Sequence, residues 1–348
     1  MEVWSLILNT LLWFGLYVIV SLSLNVEYGY CGIPNFGKAL SVIIGAVVVG
    51  GIVTRILMVA MGVHGDIVVG SSAVSGEINN IVQSNPAYGI ALFVLCLLLA
   101  MIIGTIVGAL FILPSARLKE DYLAITLLAI AETFTMVCYY NPAIVGSYYG
   151  VSVPNLFAFV PSSMRYSFLV GVVLLLALLV YVILNRIVNT PYGRLLKAVR
   201  ENEDVMKAYG RNVMVIRIKT MALGSGIASI AGVLLTFYTL RVQPDSFLNY
   251  GRTFWTFFPF LIILLGGAGN NRGVVLGAFI FATLWELVDF YKGNIVSALH
   301  LPVEAVWLEY ILFGVLMLLI LFYKPEGLIP EKPIMTEPIK RKAKKLKS

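Results

Sequence analysis

Few residues in this 348-residue sequence have types and spacing suited to chemistry. Its two histidines, His64 and His300, lie far apart, and its three cysteines, Cys31, Cys96 and Cys138, are widely separated. Neither a zinc site of paired ligands nor a disulfide framework can be read from them. The glycine cluster Gly266-Gly267-Ala268-Gly269 is followed by Asn270-Asn271-Arg272. It therefore lacks the lysine and hydroxyl that make a phosphate-binding loop. No H-E-x-x-H or G-x-S-x-G motif occurs, so the residues give no positive case for catalysis, a metal or a cofactor in this chain. What stands out is four charges set within long apolar stretches: Arg55, Glu132, Glu286 and Asp289. A charge at mid-bilayer costs roughly 2.5–3.5 kcal/mol, so it should face a helix-bundle interior or water. Glu132 is the most central, and reads either as a group lining a pathway or gate, or as an interhelical hydrogen bond. Glu286 and Asp289 approach the end of their stretch, where interfacial solvation accounts for them.

The elements that must position these groups follow from composition. The chain is 59% hydrophobic and 12% charged, about half the charge of an ordinary soluble domain. A soluble globule, a disordered chain and a disulfide scaffold are excluded. The ~10-residue alternating segments of a membrane β-barrel do not give such uncharged runs. The fold class expected is an all-α polytopic membrane protein of about nine transmembrane helices, eight to ten by length at ~20 residues per span. The candidate spans are about 5–25, 39–61, 88–113, 121–140, 166–184, 220–240, 254–265, 274–290 and 308–323, the seventh being short and containing Pro259. Between the second and third lies a polar loop from Gly62 to Ala87 without Lys or Arg. The segment 185–219 carries eight basic residues: Arg186, Arg194, Lys197, Arg200, Lys207, Arg211, Arg217 and Lys219. The final stretch 331–348 carries seven basic and two acidic groups, so it supplies most of the net charge of +7. Basic loops stay in the cytoplasm. An even number of spans separates the two, so both can be cytoplasmic, as can Arg117 and Lys119. That arrangement puts the N-terminus outside and the C-terminus inside. The division expected is a membrane-spanning body, 1–330, with its basic cytoplasmic loop at 185–219, and a basic, disordered tail, 331–348. The first run lacks a basic n-region, so it reads as a retained span rather than a cleaved signal.

Two glycine-broken segments enter helices. The first is Gly29-Tyr30-Cys31-Gly32-Ile33-Pro34-Asn35-Phe36-Gly37, and the second is Gly266 to Gly273. Irregular backbone near a membrane is tolerated where it is buried or lines a cavity, and paired interruptions point to a transport pathway. Tight cytoplasmic turns would account for the same residues. Gly32, Asn35, Gly37, Glu132, Gly266, Gly267 and Gly269 are thus the candidate pathway or gate residues. Small residues at Gly104-x-x-x-Gly108, Ala228-x-x-x-Gly232 and Gly273-x-x-x-Gly277 predict close helix packing. In the long basic loop, Thr190-Pro191 reads as a helix start. A second short helix is expected over Glu203 to Tyr209, ended by Gly210, with Val205, Met206 and Tyr209 on one face. Such a helix suits docking to another protein or lying on the membrane surface.

At this loop the sequence resembles a known family. Arg194-Leu195-Leu196-Lys197-Ala198-Val199-Arg200-Glu201-Asn202-Glu203-Asp204, continuing to Ala208-Tyr209-Gly210-Arg211-Asn212-Val213, is similar to the coupling segment of branched-chain amino acid ABC transporter permeases of the LivM type. Gly29 to Gly37, Leu118 through Glu132, Leu265 to Ala278 and Lys324-Pro325-Glu326-Gly327-Leu328 resemble further stretches of that family in its order. Lys38 stands where the family often has His, and the outer loop is long. The resemblance implies a permease subunit in a cell membrane, forming the path for branched-chain or related amino acids. It implies as partners two ABC ATPase subunits, a second homologous permease and an extracytoplasmic substrate-binding protein, with no nucleic acid. It further implies that Arg200, Glu203, Asp204, Val205, Met206, Ala208, Tyr209 and Gly210 couple the chain to the ATPase. An ion-gradient-driven secondary transporter of a small polar solute is the alternative.

Overall fold

The structure, a computed structural model, describes residues 2–114, 118, 120–245, 249–299 and 305–331. Arg117, Lys119, His300 and the tail beyond Glu331 lie outside the described residues. The helices are α1 (Glu2–Leu24), α2 (Lys38–Val47), α3 (Thr54–Ala60), α4 (Ile67–Ser84), α5 (Pro86–Ile112), α6 (Glu120–Tyr140) and α7 (Pro142–Val145), then α8 (Ser162–Val188), α9 (Pro191–Glu201), α10 (Glu203–Ala208), α11 (Val213–Thr239), α12 (Phe258–Gly266), α13 (Asn271–Leu299) and α14 (Ala305–Tyr323). Three π-helical segments extend or join them: Asn25–Tyr30 after α1, Val48–Val53 between α2 and α3, and Thr253–Phe257 before α12. Two two-residue strands, β1 (Val151–Ser152) and β2 (Arg241–Val242), pair antiparallel.

Among the described residues, seven helices are long and apolar enough to cross a membrane: Val3–Tyr30, Lys38–Ala60, Pro86–Ile112, Asp121–Tyr140, Ser162–Val188, Val213–Thr239 and Asn271–Gly293. Thr253–Gly266 and Tyr310–Ile320 are shorter apolar helices. They fall on the seventh and ninth stretches expected from the sequence. The protein is an all-helical, multi-pass membrane protein, held together as lipid-solvated bundles must be. Apolar burial does little between helices in lipid, so close backbone approach replaces it. The enclosed helix is α11: 83% of its most apolar stretch is buried, against 28% for α5. A β-carbon on Gly232 would overlap the Val42 carbonyl oxygen of α2. On the other side, β-carbons at Gly104 and Gly108 of α5 would collide with the Ser229 and Ser225 side chains. Ser229 Oγ then donates to the Ala100 carbonyl at 2.8 Å, tying α11 to α5. The small-residue spacing predicted this packing.

Two expectations are corrected. The stretch 62–87 is not a loop, because α4 occupies most of it. Ile67, Gly70, Ser71, Val74, Ser75, Ile78 and Val82 are buried at helical spacing. Its Gly, Ser and Asn content masked that three-four period. Asp66 caps the helix, its carboxylate accepting from the Val68 amide at 3.3 Å. With β1 and β2, α4 lies at the end of the bundle reached by the C-terminus of α11. The loop carrying α9 and α10 lies at the opposite end. Glu286, assigned to interfacial solvation, is instead buried, only 6% exposed. It sits one residue after Trp285, whose ring packs with Phe258, Phe281 and Phe313 in an aromatic core that joins α12, α13 and α14. Asp289 is partly exposed and pairs with Lys292 at 2.5 Å.

Candidate functional site

The first glycine-broken segment is built around an ion pair that the sequence reading did not single out. Glu27, in the π-helical turn after α1, accepts from Lys38 Nζ, the first residue of α2, at 2.8 Å. Both side chains are fully buried. Asn35 Nδ2 donates to the second carboxylate oxygen at 2.9 Å, and its own oxygen accepts from the Gly37 amide at 3.1 Å. Gly224 of α11 makes the room, since a β-carbon there would overlap Glu27 Oε1. Thus two charges, an amide and three helices close one small polar core, as buried charge requires. Both charges sit at helix ends and look like ordinary span boundaries in sequence. The usable signal was opposite charges flanking the Gly/Pro/Asn run.

The second broken segment lies directly against the first. Asn25 Nδ2 donates to Asn271 Oδ1 at 2.9 Å, and Asn25 Oδ1 accepts from the Gly269 amide at 2.9 Å. Gly267 and Gly269 hold φ of +114° and +76°, the left-handed region that side chains other than glycine resist. The chain end closes over this turn. The Leu328 and Ile329 amides donate to the Leu265 and Gly266 carbonyls at 2.8 and 3.0 Å, and Asn270 Nδ2 donates to the Ile329 carbonyl at 3.1 Å. Segment 324–331 is therefore a strap across the break.

The long loop folds as its caps dictate. Thr190 Oγ1 accepts from the Tyr192 amide at 3.2 Å to start α9, and Asn202 Oδ1 accepts from the Val205 amide at 3.0 Å to start α10. Gly210, at φ +75°, ends the turn after Ala208. Glu203 pairs with the buried Arg217 of α11, and Asp204 accepts from Lys207 at 3.1 Å. No residue of α10 is buried. Val205 and Tyr209 are 48% and 79% exposed, whereas Met206 is half-buried and packs on the core. The shared face of the sequence reading thus divides: Val205 and Tyr209 point outward, and Met206 anchors.

Arg200 does not join that outward face. One guanidinium nitrogen donates to the Gly29 carbonyl in the first break, and the other to Glu331 Oε2 at 2.8 Å. Burial acts to lower the pKa of this guanidinium, but the Glu331 and Glu201 carboxylates together more than offset it and hold the group above its ordinary value. Gly32 lies under the Arg200 side chain: a β-carbon there would sit 3.1 Å from Arg200 Cγ. The structure thus brings together Gly32, Asn35, Gly37, Gly266, Gly267, Gly269 and Arg200, at the end of the bundle bearing α10. Glu132 stands apart on α6, where its carboxylate lies 3.6 Å from Arg252 Nη1 and both groups are partly exposed. Arg55 donates to the Gly51 and Ile144 carbonyls at 2.8 Å each and to the Ala143 carbonyl. At the end bearing α4 it borders a 540 Å³ cleft with His64 and Asp66.

Among the described residues no group of three or more His, Cys, Asp or Glu side chains is arranged to hold a metal ion. The arrangement is mechanical in character: helix ends, breaks and ties, with an exposed short helix at one end.

Comparison with known proteins gives this arrangement a context. The family described as "Branched-chain amino acid transport system / permease component" matches residues 6–321. A probable branched-chain amino acid transport permease protein LivM of Methanocaldococcus jannaschii is 56% identical over 338 residues, 97% of each chain. High-affinity branched-chain amino acid transport system permease proteins LivM of Salmonella typhimurium and Escherichia coli are 30% and 29% identical over 281 residues. Each of those alignments covers 73% of this chain and 60% of the relative. No solved structure matches. The match across nearly the whole bundle places the chain in the family of permease components of branched-chain amino acid transport systems.

Proposed function

We propose that the chain is the transmembrane permease subunit of an ATP-binding-cassette importer for branched-chain or related amino acids, resident in the cell membrane. The observation that carries this reading is α10. It is a capped, charge-braced helix that buries none of its residues yet exposes Val205 and, at its C-terminal cap, Tyr209. An apolar pair on a rigid short helix suits a groove in a partner, and the family supplies the partner: an ATPase subunit on the cytoplasmic side. Glu203, Asp204, Ala208 and Gly210 shape and orient that helix, while Arg200 and Met206 anchor it to the bundle. Hydrolysis of ATP belongs to the partner. A second, homologous permease completes the pathway, and an extracytoplasmic binding protein delivers the amino acid. In this reading nine helices cross, the short α12 and α14 included, with the N-terminus outside and the C-terminus in the cytoplasm. The two glycine breaks then lie on the cytoplasmic side, and Glu132 faces the pathway from α6.

The test is reconstitution. Vesicles holding this chain, its ATPases, the second permease and the binding protein should accumulate leucine, isoleucine or valine only with internal ATP. Uptake by this chain alone, driven by an ion gradient, would establish the secondary transporter instead.

A further inference from the structure

Outside the Glu27–Lys38 core, another carboxylate is held at two points: that of Glu331, a residue that composition alone places in the basic tail. Its Oε1 lies 2.5 Å from Lys197 Nζ and its Oε2 2.8 Å from Arg200 Nη2. Lys197 and Arg200 are one turn apart on α9, so one carboxylate holds one face of that helix at two points. Lys197 Nζ also lies 5.3 Å from the centre of the Tyr30 ring, the last residue of the first π-helical segment. Arg200 reaches onward to the Gly29 carbonyl. Glu331 itself is the end of the strap whose amides pair with Leu265 and Gly266. Gly269 closes the set: a β-carbon there would lie 2.7 Å from Glu331 Oε2 and 3.1 Å from Arg200 Nη1. Only Asn202 separates α9 from α10.

From this geometry we infer that Glu331 is a positioning residue for transport, the pin of a three-way joint between α9, the first glycine break and the second. Without it, α9 keeps the Gly29 contact but loses the tie to the strap and so to α12 and α13. A displacement of α10 then rotates α9 against the second break instead of carrying it along. Charge-assisted ties are stiff and short, which suits them to passing a displacement between rigid helices. The expected consequence is uncoupling: the partner still hydrolyses ATP, but less solute moves per ATP. A joint that merely stabilised the fold would instead lower assembly, or lower hydrolysis and uptake together.

This inference rests on the importer reading above, and the experiment separates the two. The complete importer is reconstituted in vesicles, and ATP hydrolysis and leucine uptake are measured in the same preparation. Glu331→Gln should assemble in normal yield, retain hydrolysis, and lose roughly five- to tenfold in leucine taken up per ATP, the scale of single-residue effects on coupling. Lys197→Gln removes one arm through a partly exposed side chain and should lower the same ratio by a smaller factor, about two- to threefold. It decides the question if Glu331→Gln fails to assemble. A normal uptake-to-hydrolysis ratio in the deciding variant overturns the joint while leaving the importer reading intact. Parallel loss of hydrolysis and uptake does the same. Absence of ATP-driven uptake by the unsubstituted complex overturns the importer reading, and the joint with it.

Discussion

At the scale of single residues, the strongest constraint is the Glu27–Lys38 pair. Each charge is fully buried, and each is compensated by the other and, for Glu27, by Asn35. Removing one partner leaves the other's charge buried and uncompensated. Such a loss costs about 3–5 kcal/mol, whereas replacing both partners with neutral groups of similar size costs far less. Glu27→Gln and Lys38→Met should each lower the unfolding midpoint of the detergent-solubilised protein sharply, and the double variant should recover much of it. Additive losses, with the double variant worst, would mean that the two groups are not coupled. Gly224→Ala serves as an independent probe, because its β-carbon would press on the Glu27 carboxylate. It should destabilise the protein even though the added group is a single methyl. The sequence did not announce this core. Hydropathy reads a charge at a span end as a boundary, and only the folding of the Ile33-Pro34-Asn35 turn brings Lys38 back over Glu27.

At the scale of elements, α10 separates into an anchor and a presented face. Glu203 is paired to Arg217 and Met206 packs on the core, so substitution at these positions disturbs the mounting of the helix. Val205 and Tyr209 touch solvent, so Val205→Ala and Tyr209→Ala should leave the fold unchanged. Tyrosine anchors at protein interfaces commonly contribute about 2 kcal/mol or more. Tyr209→Ala should therefore weaken ATPase binding by some thirtyfold or more, and Val205→Ala by less, as measured by titrating the purified ATPase onto detergent-solubilised permease. Unchanged affinity in both would remove α10 from the interface. The helices of this loop were legible because their signals are local: Thr190, Asn202 and Gly210 punctuate the chain whatever surrounds it. The apolar spans were legible for the same reason, their run lengths being intrinsic. The helix α4 was not, since Gly70, Ser71 and Ser75 interrupt the apolar period that Ile67, Val74, Ile78 and Val82 set on its buried face. Nor was the meeting of the two glycine breaks, which depends on Asn25 and Asn271, 246 residues apart in sequence.

At the scale of the whole molecule, charge asymmetry sets an orientation that can be measured. The eight basic residues of 185–219 and the strap lie at one end of the bundle, and the uncharged-to-acidic α4 region lies at the other. If the basic end is cytoplasmic, a thiol placed on α4 should be reached from outside the cell. Thiols placed beside α10 and on the strap should not be. The native background is favourable, because Cys31, Cys96 and Cys138 are 3%, 1% and 0% exposed. Burial also pushes the Cys31 thiol up to about 12, so it stays protonated and unreactive at neutral pH. Glu77→Cys, on the exposed side of α4, should react with a membrane-impermeant maleimide on intact cells. Arg211→Cys and Glu326→Cys should react only after the membrane is opened. The reverse pattern would invert the molecule and remove α10 from the reach of a cytoplasmic ATPase. Labelling of Glu326→Cys from outside, with Arg211→Cys still protected, would mean an odd number of crossings between α10 and the strap. One of the short helices α12 and α14 would then fail to span. Because the strap pairs with the turn after α12 and with α9, that outcome would also place two bonded segments on opposite faces of the membrane. The hydrogen bonds of Leu328 and Ile329 to Leu265 and Gly266 therefore require that α13 and α14 cross as a pair or not at all.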